Sequence, residues 1–328
     1  MKHRCLKSRN RKRTLYLHIG IPKTASTWLQ SNVFSKLHHL HYLDCSKNTM
    51  FRDIEDLSAK QRSLGNIFSR SIRIWEKFGD TIFEDLIGDQ QAWLKNDQDL
   101  LISDERIGRQ GSRSTLLADH FREMKQKAGD WGFERIHLIC MIRRQDHWLA
   151  SHYAQMSDRN PQAGQEDFKK LIRNITSPYR FRYGFGMLLE YNELYDQLSD
   201  AYGDSNLLML PYEELKQTPA AFLESLLGRL GTPSETIEHI LDETSGTKKN
   251  VRSEQDVWQL RNKRKRVAGI PLPKWIFTGG EKTIKLMPEY TQQVFECYSA
   301  GNRELALKTG LNLEEHGYFG PGSSSKNP

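Results

Sequence analysis

Lys23, Thr24, Ser26 and Thr27 crowd one short turn, and an ammonium beside three hydroxyls is the chemistry of holding phosphate or sulfate oxygens. The flanking residues frame that turn for the task. Leu15-Tyr16-Leu17-His18-Ile19 is a mostly apolar run of strand length, Gly20 and Pro22 break it, and Ser26-Thr27-Trp28-Leu29 opens a helical pattern. Thr14 to Gln30 therefore reads as a buried strand, a turn and a helix whose first N–H groups and positive dipole end face the anion. Two further strand ends carry chemistry. The run Asp99 to Ser103 ends on Asp104, Glu105 and Arg106, and the run Arg135 to Ile142 delivers Arg143 and Arg144. Ligands of open parallel sheets sit outside the carboxyl ends of strands. There a carboxylate can take a proton and an arginine fork can grip phosphate.

The turn departs from the nucleotide-binding pattern G-x-x-x-x-G-K-[ST]. Counted from Gly20, the second glycine falls on Ala25 and the lysine on Ser26, while Lys23 stands inside the turn, three residues after the glycine. Pro22-Lys23-Thr24-Ala25-Ser26-Thr27-Trp28-Leu29 resembles the 5′-phosphosulfate loop of sulfotransferases that use 3′-phosphoadenosine 5′-phosphosulfate (PAPS), which reads P-K-[ST]-[GA]-[ST]-T-W-L. A second piece of the resemblance is Arg143 with Ser151 eight residues on and Tyr153 beyond it, matching the family's 3′-phosphate motif except that Gln145 replaces the usual proline. Arg144 is placed to share that role. A third is a strand, Asn206 to Leu210, followed by Tyr212-Glu213-Glu214-Leu215, where the family tyrosine lies near the adenine; Tyr212 and Trp28 are then the candidates to edge the base. The family also places a loop over the nucleotide where this chain has Thr244 to Ser253, with Lys248, Lys249 and Arg252 as its cations.

The resemblance covers Thr14 to Ser253 and implies sulfuryl transfer from PAPS to a hydroxyl or amine, leaving adenosine 3′,5′-bisphosphate (PAP), with no metal required. It implies that Lys23 neutralises charge on the transferring group and leaving phosphate, helped by Thr24, Ser26 and Thr27. A base must take the acceptor's proton. Glu105 is the first choice, in a strand-end Ser103-Asp104-Glu105 that matches the family's Ser-x-Glu, and Asp104, His39 and His41 are the alternatives. Two rival functions stay open: a nucleoside triphosphate-dependent kinase, which needs a lysine near Ser26, and a non-catalytic binder of anions or nucleic acid using the basic segments.

The elements that must position these groups are those of an α/β protein, a three-layer α/β/α arrangement with a central parallel sheet like that of P-loop nucleotide-binding proteins. In 328 residues without an internal repeat or a low-complexity linker, one domain over 14–318 is expected, after a basic arm of residues 1–13 and before a polar tail of 319–328. The arm has seven lysines and arginines, no acid and no apolar signal core behind it, so a cytoplasmic protein is expected. Mean hydropathy is −0.68, and the longest apolar run, Ile136 to Ile142, is far too short to span a bilayer. Cys5, Cys45, Cys140 and Cys297 lack metal-ligand spacing. His38, His39 and His41 have no second ligand cluster, so no metal site is expected. The formal charge of +7 favours anionic partners. It slightly favours a glycan or glycolipid acceptor over a small aromatic one, with no nucleic acid and no membrane-spanning segment. The basic run Arg261 to Arg266 reads as a solvated face or hinge helix.

Overall fold

The computed structural model describes residues 12–45, 64–111, 116–160, 162–175, 188–245, 253–254, 256–261, 266–267, 270–271 and 283–320. In chain order the elements are β1 (Arg13–His18), α1 (Ser26–Asn32), β2 (Leu40–Asp44), α2 (Leu64–Ile67), α3 (Arg73–Ile87), α4 (Gln90–Leu94), β3 (Asp99–Ser103), α5 (Glu105–Gly111), α6 (Leu117–Asp130) and β4 (Phe133–Ile142). They continue with α7 (Gln145–Met156), α8 (Gln165–Arg173), α9 (Tyr191–Tyr202), β5 (Leu207–Pro211), α10 (Tyr212–Gln217), α11 (Pro219–Arg229) and α12 (Ser234–Ser245). Short strands β6 (Ser253–Glu254), β7 (Val257–Gln259), β8 (Arg266–Val267), β9 (Ile270–Pro271) and β10 (Thr283–Lys285) precede the long α13 (Pro288–Thr309).

The apolar runs pair into one sheet of order β2-β3-β1-β4-β5, every pairing parallel. Strands buried on both faces send alternate side chains to opposite layers. Leu15 and Leu17 of β1 join a core with Trp75, Phe83, Phe121, Leu194 and Val294 from α3, α6, α9 and α13. Tyr16, between them, joins Leu29, Phe222, Leu226 and Ile240 from α1, α11 and α12. The three-layer α/β/α arrangement read from the sequence is the one present. Because β1 lies between β3 and β4, its carboxyl end is where the strand order reverses, the crevice in which such sheets bind ligands.

Two boundaries differ from the sequence expectation. Arg13, assigned to the arm, opens β1 and is only 7% exposed. Its guanidinium donates to the carbonyls of Trp93 (2.8 Å), Asn96 (3.1 Å), Trp131 (3.2 Å) and Gly132 (3.3 Å), so its charge is spent inside the fold. The helix that the sequence opens at Ser26 runs only to Asn32, where Val33 leaves helical geometry (φ −122°, ψ −67°). A 3₁₀ turn, Phe34–Lys36, follows, and the Phe34 ring centroid lies 5.1 Å from that of His18. Residues 1–11, Lys248, Lys249, Arg252, 262–265 and 321–328, to which the arm, the nucleotide-covering loop, most of the basic run and the tail were assigned, lie outside the described residues. No helix among the described residues is long and apolar enough to cross a membrane.

The β1 end and α5 approach closely. The Gly108 N–H donates to the Ile19 carbonyl (3.0 Å), and a methyl group on Gly108 would lie 2.6 Å from the Gly20 oxygen and 2.7 Å from that of Ile19. Main-chain atoms cannot step aside as a side-chain tip can. Gly108→Ala is therefore expected to cost about 1–3 kcal/mol in urea denaturation, whereas Gly228→Ala, with nothing within 4 Å in α11, should be neutral or stabilising by up to about 1 kcal/mol.

Candidate active site

The turn between β1 and α1 is built on unusual backbone. Lys23 (φ 74°) and Ala25 (φ 69°) both occupy the left-handed region without being glycine. Such residues persist only where their surroundings over-determine them, and here three side-chain hydrogen bonds do so. The Thr24 hydroxyl donates to the Ile21 carbonyl (2.5 Å), Trp148 of α7 donates through Nε1 to the Pro22 carbonyl (2.5 Å), and Arg143 Nη1 donates to the Lys23 carbonyl (2.9 Å). The helix that follows has Ala25 at its N-cap, with no side-chain hydrogen bond there.

Arg143 is fixed on several sides. Its guanidinium carbon lies 4.6 Å from the centroid of the Tyr212 ring, a cation–π stack at partial burial. Its Nη1 is taken by the loop, yet its Nε is buried with no hydrogen-bond partner. The Ser26 Oγ, from the residue after Ala25, is likewise buried and unpartnered. Buried polar groups are almost always paired, so such atoms call for a ligand or water. A guanidinium edge and a hydroxyl left over beside one loop suit an anion with several oxygens.

The carboxylates divide their roles. Asp104, an alternative base, is fully buried and committed. It accepts from Arg106 N and Nε (both 2.9 Å), Arg106 Nη2 (3.0 Å) and Gly65 N (3.2 Å), while Arg106 Nη2 also reaches the Cys45 carbonyl. It ties β3 to α2 and to the end of β2. Glu105, one residue on, faces the loop: its Cβ would lie 3.4 Å from a methyl group placed on Gly20. Burial pushes the Glu105 carboxyl above its ordinary range, the charge of Asp104 adds to this, and Lys23, Arg109 and Arg106 oppose it. A carboxyl lifted by burial within the field of Lys23 suits proton transfer at the loop.

The remaining sequence candidates are distributed as follows. Thr24 has spent its hydroxyl proton on Ile21. Thr27 is exposed, and Trp28 is half-buried in a cluster with Ala25, Tyr212 and residues of α12. Ser151 is buried two turns into α7, though no described hydrogen bond joins it to Arg143. His39 is not brought to the loop. It precedes β2, so in a parallel sheet it stands at the opposite end, with Nε2 3.3 Å from the Leu230 carbonyl. His41 is three residues upstream of the β2 end and packs edge-on against Trp93. Tyr212 has one use the sequence did not suggest, as the platform for Arg143. Arg144 does not share the role, because Asp146 holds it through Nε (3.2 Å) and Nη2 (2.7 Å). Gln145, in place of the usual proline, is buried and exchanges amide hydrogen bonds with Asn302 of α13 (2.8 and 3.1 Å). Among the described residues no group of three or more His, Cys, Asp or Glu side chains is arranged to hold a metal.

His18, at the end of β1, is fully buried and has no signal in the sequence beyond its place in an apolar run. Its Nδ1 lies 2.8 Å from the Ser103 Oγ, which also accepts from Gln30 Nε2 (3.0 Å), and its Nε2 is buried without a partner. Complete burial lowers its pKa from 6.5 to about 4. The unfolded chain therefore takes up this proton first as pH falls. Stability from the neutral ring is full above pH 6.5 and drains as pH drops towards 4. Between pH 7 and pH 4.5 the wild type is expected to lose about 2–3 kcal/mol more than His18→Gln, read by urea denaturation at both pH values.

No family model matches the chain, and no curated protein matches it. Solved structures with a similar course of chain include a sulfotransferase from Alicyclobacillus acidocaldarius, at TM-score 0.49 and 11% identity over 92% of this chain and 98% of that one. Mouse sulfotransferase SULT7A1, solved with PAP, gives 0.46 at 14% identity over 93% and 89%. A sulfotransferase domain from the curacin biosynthetic pathway gives 0.39 at 13% identity over 69% and 76%.

Proposed function

We propose that this protein transfers a sulfuryl group from PAPS to an acceptor hydroxyl or amine. The observation that carries the reading is the pair of buried, unpartnered donors, Ser26 Oγ on the loop and Arg143 Nε beside it, with Arg143 Nη1 bonded to the loop at Lys23. A donor with a 5′-phosphosulfate and a 3′-phosphate uses both. The loop with Lys23 and Ser26 receives the phosphosulfate, and the free guanidinium edge of Arg143 receives the 3′-phosphate, with Ser151, Lys249 and Arg252 as further candidates for it. Tyr212 and Trp28 flank the base. The kinase alternative gains no support, since Ser26 stands where its lysine is needed and Asp104 is saturated by Arg106 and Gly65.

In the reaction the acceptor oxygen or nitrogen forms a bond to sulfur as the bond from sulfur to the phosphate oxygen breaks. The electron pair leaves on the 5′-phosphate of PAP, and Glu105 takes the acceptor's proton. Lys23 and the Ser26 hydroxyl hold the negative charge that gathers on the leaving oxygen, the form of stabilisation that costs no reorganisation once the loop is set. A glycan or glycolipid hydroxyl is the proposed acceptor class, favoured by the +7 charge of the chain, which concentrates anionic or phosphate-linked carriers at its surface.

Thermal shift with PAP tests the donor site. At about 100 times Kd, binding adds about 2.7 kcal/mol and raises the wild-type Tm by several degrees. Lys23→Ala should weaken the shift and Arg143→Ala should abolish most of it; a wild type that folds but gives no shift overturns the reading. Glu105→Gln should lower kcat by about 10²–10⁴-fold with little change in KM for PAPS. Because the base must be ionised, wild-type kcat should fall on the acid side through a pKa above the ordinary carboxyl value, and the variant should lose that limb.

A further inference from the structure

The turn that carries Arg143 is held from behind by residues far away in sequence. Tyr191, at the start of α9 and 1% exposed, donates its hydroxyl to the Arg143 carbonyl (2.6 Å), and the Arg143 N–H points back to the same oxygen (3.4 Å). Glu213, one residue after the Tyr212 platform, accepts the Arg144 N–H at Oε1 (3.2 Å) and the Tyr318 hydroxyl at Oε2 (2.7 Å). Tyr318 is fully buried, and its own carbonyl accepts from Asn302 Nδ2 (2.9 Å). The C-terminal part of the chain therefore reaches the Arg143 turn twice, from α13 through Asn302 to Gln145 and from the segment after it through Tyr318 to Glu213. Among the described residues no hydrogen bond joins Tyr191, Glu213, Tyr318 or Asn302 to the loop or to Nε of Arg143.

Resting on the PAPS reading, we infer that Tyr191 and Tyr318 are positioning residues for the 3′-phosphate. They set the direction in which Arg143 presents its Nε edge. Tyr191 fixes the peptide from which the side chain departs, and Tyr318 fixes Glu213 and with it the Tyr212 ring on which the guanidinium lies. A satisfied buried network also adds stability, and a purely structural role predicts a general loosening of the site. The positioning role predicts something narrower. Only contacts made through the 3′-phosphate should weaken, while the 5′-phosphate contacts made by the loop should not.

Binding of PAP and of adenosine 5′-phosphate, measured by calorimetry on the wild type, Tyr191→Phe and Tyr318→Phe, separates the two. Phenylalanine keeps each ring in its packing and removes one hydroxyl. The wild type should prefer PAP, and each variant should cut that preference by about tenfold with the affinity for the monophosphate unchanged. Equal weakening of both nucleotides, or no change in their ratio, overturns the positioning role. A wild type that binds PAP no better than the monophosphate overturns the PAPS reading itself, and this inference with it. The two variants break different hydrogen bonds, so if one fails to fold the other decides.

Discussion

The hydrogen bond from Arg143 to the Lys23 carbonyl joins the ends of the two central strands, and the candidate site depends on it. On one side it helps hold Lys23 in a backbone conformation that a lysine does not adopt by preference. On the other it leaves Nε of the guanidinium buried without a partner, while the ring of Tyr212 lies against the group. A carbonyl is a good acceptor for this purpose. It draws the arginine to the loop without neutralising its charge, so the positive potential remains available to a bound anion. A carboxylate in the same place would have satisfied the arginine and closed the site. Asp146 does this to neighbouring Arg144, and Asp104 does it to Arg106.

Placement of charge follows the same logic along the whole carboxyl edge of the sheet. Asp104 and Asp146 are buried and saturated by local donors, so they act as structural anchors. Glu105 is next to one of them but faces the loop, where burial and the charge of Lys23 pull its proton affinity in opposite directions. Neighbouring carboxylates in different surroundings thus divide into one that holds the fold and one that, on the proposed reading, takes the acceptor's proton.

The sequence was most informative where function and local structure coincide. The β1 strand, the turn and the start of α1 were legible because apolar period, breakers and hydroxyls all changed within a few residues, and Arg143 was legible because it ends an apolar run. Glu105 stood ahead of Asp104 only through its match to Ser-x-Glu, since adjacent residues at a strand end differ only in direction. His39 needed one further step, that a residue before a parallel strand stands at the far end from one after it. Arg13 read as part of a basic arm because composition does not reveal that four carbonyls await its guanidinium. Tyr191, Asn302 and Tyr318 had no local signal, and Gln145 showed only as a departure from a motif, with nothing to indicate its partner. Their bonds run to main-chain atoms or to partners as far as 157 positions away, and no periodicity records such pairings.

The left-handed residues of the loop have a consequence for how this protein can change over time. Lys23 and Ala25 each carry a backbone penalty of roughly 1–2 kcal/mol that glycine would not. Selection for stability alone would drift both positions towards glycine or asparagine. At Ala25 that drift removes only a methyl group, but at Lys23 it removes the charge. On the proposed reading Lys23 must keep its side chain whatever its backbone costs, whereas Ala25 can give up its methyl group, so the two positions face opposite pressures.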